Sequence, residues 1–293
     1  MPQFSPGLLP SPDPLPSPDP QSPISTQRSR GSPTPATHPF LFDLAGAKLP
    51  FDAIICDIDG CLGPESHAPL DAPALARIAA SNARAPRESR PVLTLCSGRP
   101  QPYAEALARL LAIRVPIICE MGVWLYDPRD NRFSIDPAIS PDHLAMVRFA
   151  QAWIEREIVP LGVVIQPGKT ASISLWHQDT PTLLALKPIL VQRFAKEGWA
   201  LRVSNTVAWI NCDLAHVSKG TGIDRFVDMM GYSRSRLVGI GDTLGDLAIL
   251  ERVSVFACPA NADPDLKQRA NYASMSKEVE GVLDVLSWWD TEI

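Results

Sequence analysis

Four small polar groups each follow an apolar run: Asp57-Ile58-Asp59, Ser97-Gly98-Arg99, Lys219-Gly220, and Gly241-Asp242 with Asp246. An aspartate after a strand is usually a turn or helix cap, and a lone lysine at a helix start is usually solvated. Four such groups, all carried to the same edge of one sheet, have a chemical reading instead. Phosphoryl transfer needs an in-line nucleophile and compensation for the charge on the phosphoryl oxygens. A carboxylate can supply the nucleophile and give an acyl phosphate that water then cleaves. Clustered carboxylates suit Mg²⁺, a hard ion that takes oxygen ligands. Without a metal and a lysine, acids so close together would raise one another's pKa values. A serine hydroxyl and a lysine ammonium supply donors to the phosphoryl oxygens.

The elements that must position these residues follow from periodicity. Short apolar runs at Phe51–Cys56, Pro91–Cys96, Pro116–Cys119, Arg236–Ile240 and Ser254–Ala257 read as buried strands. Helices are expected over Ala72–Ala83, Gln101–Leu111, Thr221–Met230 (ended by Gly231), Leu247–Glu251 and Glu278–Trp289. Strands alternating with helices imply a doubly wound parallel sheet of Rossmann-like α/β class. Such sheets bind ligands at the carboxyl ends of their strands, where the polar groups fall.

Between them the rhythm changes. Asp142–Ile158 is expected to be helical, followed by strands Gly162–Gln166 and Ala171–Trp176 around Pro167-Gly168. A helix over Pro181–Glu197, bent at Pro188, precedes strands Trp199–Ser204 and Val207–Asn211 around Asn205-Thr206. This repeated helix–strand–strand order predicts an inserted α+β unit with an antiparallel sheet. Asp57 to Ser97 spans 40 positions and Ser97 to Lys219 spans 122, so the insertion lies in the second interval. The expected division is a tail over 1–45, core over 46–124, insert over 125–213 and core again over 214–293.

Composition narrows the setting. The net charge is −5 and no long basic block is present, so nothing advertises nucleic-acid binding. No apolar run is long enough for a membrane helix, and no charged-then-apolar leader opens the chain. Six cysteines without a C-x-x-C pair read as buried hydrophobes in a reduced, cytoplasmic setting. Twelve of the 30 prolines fall in the first 40 residues, which reads as a disordered extension.

With these residues in hand, a family becomes recognisable. Asp57-Ile58-Asp59-Gly60-Cys61-Leu62 resembles the first signature of the haloacid dehalogenase superfamily, Leu95-Cys96-Ser97-Gly98-Arg99 the second and Lys219-Gly220 the third. Gly241-Asp242-Thr243-Leu244-Gly245-Asp246 resembles the fourth. The resemblance spans Phe51 to Trp289 and implies a Mg²⁺-dependent phosphatase whose insert is a mobile type IIB cap. It implies Asp57 as nucleophile and metal ligand, and Asp59 as general acid/base with its carbonyl on the metal. It also implies Asp242 as a direct metal ligand, Asp246 in the outer shell, and Ser97, Gly98 and Lys219 on the phosphoryl group. An acid at Asp59 argues for phosphatase or phosphomutase over dehalogenase chemistry.

The short insert and Cys258-Pro259-Ala260-Asn261-Ala262 resemble archaeal-type phosphoglycolate phosphatases, and sugar-phosphate enzymes carry related caps. Gly245 and Met121 stand where relatives often carry Asn. Lys169, His177, Arg202 and Asn261 are candidates to read the leaving group, while Trp153, Trp176, Trp199 and Trp209 read as core of the insert. The expected substrate is a small phosphorylated metabolite, phosphoglycolate or a sugar phosphate, met by a monomer or dimer. A phosphomutase, or a silent binding protein docked through its proline tail, are the alternatives.

Overall fold

The computed structural model describes residues 50–65 and 68–293; the proline-rich segment lies outside them. Strands β1 (Ala53–Cys56), β2 (Val92–Leu95) and β3 (Ile117–Cys119) alternate with helices α1 (Ala72–Arg84) and α2 (Gln101–Leu110). Asp71 caps α1 by accepting from the Ala74 amide, and Pro73 sits in the first turn, where a missing N–H is harmless. A hairpin, β4 (Trp124–Asp127) and β5 (Arg132–Ile135), follows.

Next come α3 (Pro141–Glu157), β6 (Val164–Ile165), β7 (Ser172–Trp176), α4 (Thr180–Ala185), α5 (Lys187–Glu197), β8 (Leu201–Asn205) and β9 (Trp209–Leu214). The chain then returns through α6 (Lys219–Met230), β10 (Leu237–Ile240), α7 (Leu247–Leu250), β11 (Val255–Cys258), α8 (Pro264–Arg269), β12 (Tyr272–Ala273) and α9 (Glu278–Leu286).

The parallel sheet has the order β12-β11-β10-β1-β2. Its register sets Cys56 beside both Leu95 and Ile240, so three strands end level. Asp57, Ser97 and Asp242, one or two residues farther on, therefore emerge at one rim. The strands are buried on both faces, as helix-covered parallel strands must be.

Two features depart from the periodicity reading. Ile117–Cys119 joins an antiparallel β3-β4-β5 sheet and meets β2 through the single parallel bridge Cys96–Ile118. The β4–β5 hairpin turns at Pro128-Arg129-Asp130-Asn131, and Leu125 and Tyr126 pack into the same core as the parallel sheet. The helix expected over Pro181–Glu197 is two helices broken at Leu186. Pro188 offers no N–H to continue the earlier turn and disfavours helical backbone before it.

The second antiparallel sheet has the order β6-β7-β9-β8. Its strands alternate, as a half-covered sheet should. Ile173, Leu175, Ile210, Cys212 and Leu214 enter a second core with Ala150, Ile154, Leu190 and Phe194 of α3 and α5. The opposite face carries Ser172, Ser174, Asn211, Asp213, Arg202 and Ser204, aligned in register. That polar face forms one wall of the site.

Candidate active site

A cavity of about 780 Å³ lies between the rim of the parallel sheet and the polar face of the four-stranded sheet. Asp57, Asp59, Ser97, Gly98 and Lys219 line it from the first side, and Lys169, Arg202, Trp209 and Asn211 from the second.

Lys219 opens α6, where Ser218 caps the helix through the Thr221 amide. Its Nζ lies 2.7 Å from Asp57 Oδ2 and 2.7 Å from Asp246 Oδ1. Burial pulls this ammonium down, but the two carboxylates outweigh it and hold it well above the usual lysine value. Burial pushes the Asp57 carboxyl up, with Asp246 and Asp59 adding to the rise and Lys219 opposing it. Asp246 is fully buried, and its second oxygen accepts from the Asp242 and Thr243 amides at 3.0 Å each.

Asp242 has weaker support. Burial, then Asp57 and Asp246, push its carboxyl up to about 9, and its Oδ1 is buried without a hydrogen-bond partner. Asp57, Asp242 and Asp246 each present an oxygen within 4.8 Å of the others. An orphaned oxygen inside a set of hard donors fits a small divalent cation such as Mg²⁺. Gly60 belongs to the same cradle: at φ +76°, a Cβ there would fall 1.9 Å from Asp242 Oδ2.

The leaving-group candidates separate. Lys169 and Arg202 line the cavity, whereas Asn261 does not. The Asn261 amide is spent elsewhere, donating to the Gly60 carbonyl at 2.8 Å and accepting from the Glu278 amide at 2.8 Å. It braces the Asp59-Gly60 turn. His177 also lies off the wall, its ring accepting from the Asp179 amide at 2.9 Å. Trp153 is core, but Trp209 lines the cavity beneath the Arg99 guanidinium, 5.7 Å from its ring centroid.

Two partnerships escaped the sequence reading. Arg99 grips the Asp59 carboxylate through Nε, at 2.9 and 2.8 Å from its two oxygens, and through Nη2. Glu120, fully buried after β3, reaches the Thr170 and Ala171 amides. Arg99 sat inside a recognised motif; nothing local marked Glu120.

Residues 203–286 match the model of the haloacid dehalogenase-like hydrolase family. The chain is 21% identical over 243 residues to the phosphoglycolate phosphatase of Methanosarcina acetivorans, covering 83% of this chain and 98% of that protein. Among solved structures, protein 0175 of Thermoplasma acidophilum superposes with a TM-score of 0.63 at 18% identity, covering 82% of this chain and 98% of that one. The sucrose-phosphatase of Synechocystis, solved with sucrose and phosphate, gives a TM-score of 0.58 at 18% identity over 83% and 99% of the two chains. In sequence and fold the chain is similar to phosphatases of the haloacid dehalogenase superfamily, and that likeness supports reading it as a phosphatase of haloacid dehalogenase-like fold. Among the described residues, no helix is long and apolar enough to cross a membrane.

Proposed function

We propose that the protein hydrolyses a small phosphate monoester, such as phosphoglycolate or a sugar phosphate, through an aspartyl-phosphate on Asp57 with Mg²⁺ bound. One observation carries the reading: Asp57, at the cavity wall, shares Lys219 with Asp246 and stands within a three-carboxylate cluster. That combination supplies a nucleophile, a cation and a metal cradle at one point.

The carboxylates of Asp57 and Asp242 and the carbonyl of Asp59 would hold the ion, with Asp246 behind them. Bound Mg²⁺ supplies charge compensation for the phosphoryl oxygens and keeps the acids ionised. An Asp57 oxygen attacks phosphorus as the bond to the leaving oxygen breaks, and Asp59 gives that oxygen its proton. Water then attacks the acyl phosphate, Asp59 takes back a proton, and phosphate leaves with the Asp57 carboxylate restored. Ser97, Gly98 and Lys219 hold the phosphoryl oxygens throughout. In the first half-reaction Asp59 must carry a proton, so the Arg99 fork has to release one of its oxygens.

The four-stranded unit acts as a cap that closes over the substrate and reopens for release. The protein works in the cytoplasm as a monomer or dimer. A second reading, phosphoryl transfer to another hydroxyl, uses the same residues. Free phosphate release from a panel of monoesters, with and without Mg²⁺, tests the proposal. Mg²⁺-dependent release from at least one ester is expected. No release from any of them would sink it, and phosphoryl transfer without release would favour the mutase reading.

A further inference from the structure

The Glu120 carboxylate has no part in the chemistry above, yet it is fully buried. It follows β3 in a turn where Glu120, Met121 and Gly122 have φ values of 51°, 57° and 97°. Left-handed backbone is unfavourable for a non-glycine residue, so such a turn persists only where its surroundings hold it. What holds it is a long-range contact. Oε1 accepts from the Thr170 amide at 2.7 Å, the Ala171 amide at 2.6 Å and the Ser172 hydroxyl at 3.1 Å. A loop of the parallel-sheet core thus grips the β6–β7 hairpin.

The residue just before those amides is Lys169, which lines the cavity. Its Nζ donates to Ser174 Oγ, and Ser174 Oγ donates to Asn211 Oδ1 at 2.5 Å. Among the described residues, the charged side chains of the four-stranded unit that line the cavity are Lys169, Lys187 and Arg202, while Asp213 on the same face is buried and does not line it. Arg202 is occupied by the Val217 carbonyl at 3.0 Å and by Asp213 at 3.8 Å, and Lys187 by Asn205 Oδ1 at 2.8 Å. Lys169 has three protons to place and a neutral hydroxyl as its hydrogen-bond acceptor. Burial pulls its ammonium below the ordinary value even though the buried Asp213 and Glu120 carboxylates oppose the fall, a cost that an incoming anion would relieve further. The cavity, at about 780 Å³, also has room for more than a phosphoryl group.

We propose that Lys169 recognises a second anionic group on the substrate, a carboxylate or another phosphate carried by the leaving part, and that Glu120 is the positioning residue that holds the Lys169 loop over the site. This rests on the phosphatase reading and narrows it to doubly anionic monoesters.

Three matched probes test it: glycerol 3-phosphate, 3-phosphoglycerate and glycerol 1,3-bisphosphate. The wild-type protein should favour one or both of the last two in kcat/KM, and the favoured arm tells carboxylate from phosphate. K169M should cut that preference roughly ten- to a hundredfold, the size of a lost charged hydrogen bond, chiefly through KM. K169R should restore part of it. E120A should cause the same selective loss and add nothing in the K169M background. E120Q, which keeps an oxygen for the two amides, should retain most of the preference. If thermal melts show that E120A does not fold, E120D, whose carboxylate is retracted by one methylene, is read in its place.

An unchanged preference in K169M overturns the role of Lys169. An equal loss on all three esters in E120A overturns the positioning role. Wild-type protein that hydrolyses glycerol 3-phosphate as well as the anionic pair overturns the inference and leaves the phosphatase reading standing. No hydrolysis of any of the three overturns the inference alone, and only a further lack of release from the whole monoester panel removes the phosphatase reading as well.

Discussion

Arg99 forks the Asp59 carboxylate from 40 residues away, with Nε 2.9 and 2.8 Å from its two oxygens. The guanidinium is itself held over the Tyr103 ring, 5.0 Å from its centroid, and over Trp209. A planar fork sets the orientation of a carboxylate as well as its charge. R99M should therefore lower kcat by about ten- to a hundredfold, part of what a positioned acid/base is worth, with a smaller change in KM. R99K, which keeps the charge and loses the fork, should recover little. Steady-state kinetics on any hydrolysed ester decide this, and full activity in R99K would show that charge alone matters.

Asp57→Asn should abolish turnover while leaving the fold intact. The amide keeps the size of the side chain, and Lys219 retains Asp246 at 2.7 Å. Circular dichroism should match the wild type, and a rapid quench should trap no acid-stable, base-labile phosphoprotein. Retained hydrolysis would remove Asp57 as the nucleophile.

Lys219→Met leaves two buried carboxylates facing each other without their shared cation. Breaking a buried pair from one side costs about 3–5 kcal/mol, so urea melts in chelator should show a loss of that order. Added Mg²⁺ should recover part of the stability and none of the activity. Stability equal to wild type would mean that the pair contributes nothing net.

Mg²⁺ should stabilise the protein more as pH rises. Asp242 is pushed up to about 9 and Asp57 is also raised, both by burial first. A carboxyl with a higher pKa in the folded state binds more protons there. The stability it contributes is complete below its unfolded value, about 4, and is lost as pH climbs toward the folded value. Ion-free protein should thus weaken between about pH 4 and about pH 9. A cation that holds both acids ionised removes the loss. The rise in Tm on adding saturating Mg²⁺ should grow from about pH 5 to about pH 8; a rise independent of pH would contradict the linkage.

Gly60→Ala should damage the metal cradle while leaving the catalytic residues in place. The new Cβ meets Asp242 Oδ2 at 1.9 Å, and φ +76° favours glycine. Weaker Mg²⁺ binding by calorimetry, together with a lower Tm, is the expected result. Unaltered Mg²⁺ affinity would place the ion away from Asp242.

The parts of this molecule that could be read from the chain alone are those set by neighbours in sequence. Helical patterning located α1, α6 and α9, and the apolar runs ending at Cys56 and Ile240 located β1 and β10 and placed Asp57 and Asp242 just past strand ends. Spacing pointed to an insert between Ser97 and Lys219, because a gap of 122 residues is far more than one crossover needs. Tertiary structure decided what lies opposite what. Parallel register brought Asp57, Ser97 and Asp242 to one rim, and chain reversal set Arg99 on Asp59 and Glu120 on the Thr170 amide. It also spent Asn261 on bracing a turn and gave Trp209 to the cavity. The physical reason is one of range. Backbone sterics and burial act within a few residues and leave a periodic trace, whereas a side-chain pair separated by 40 or 50 residues is chosen by packing and leaves none.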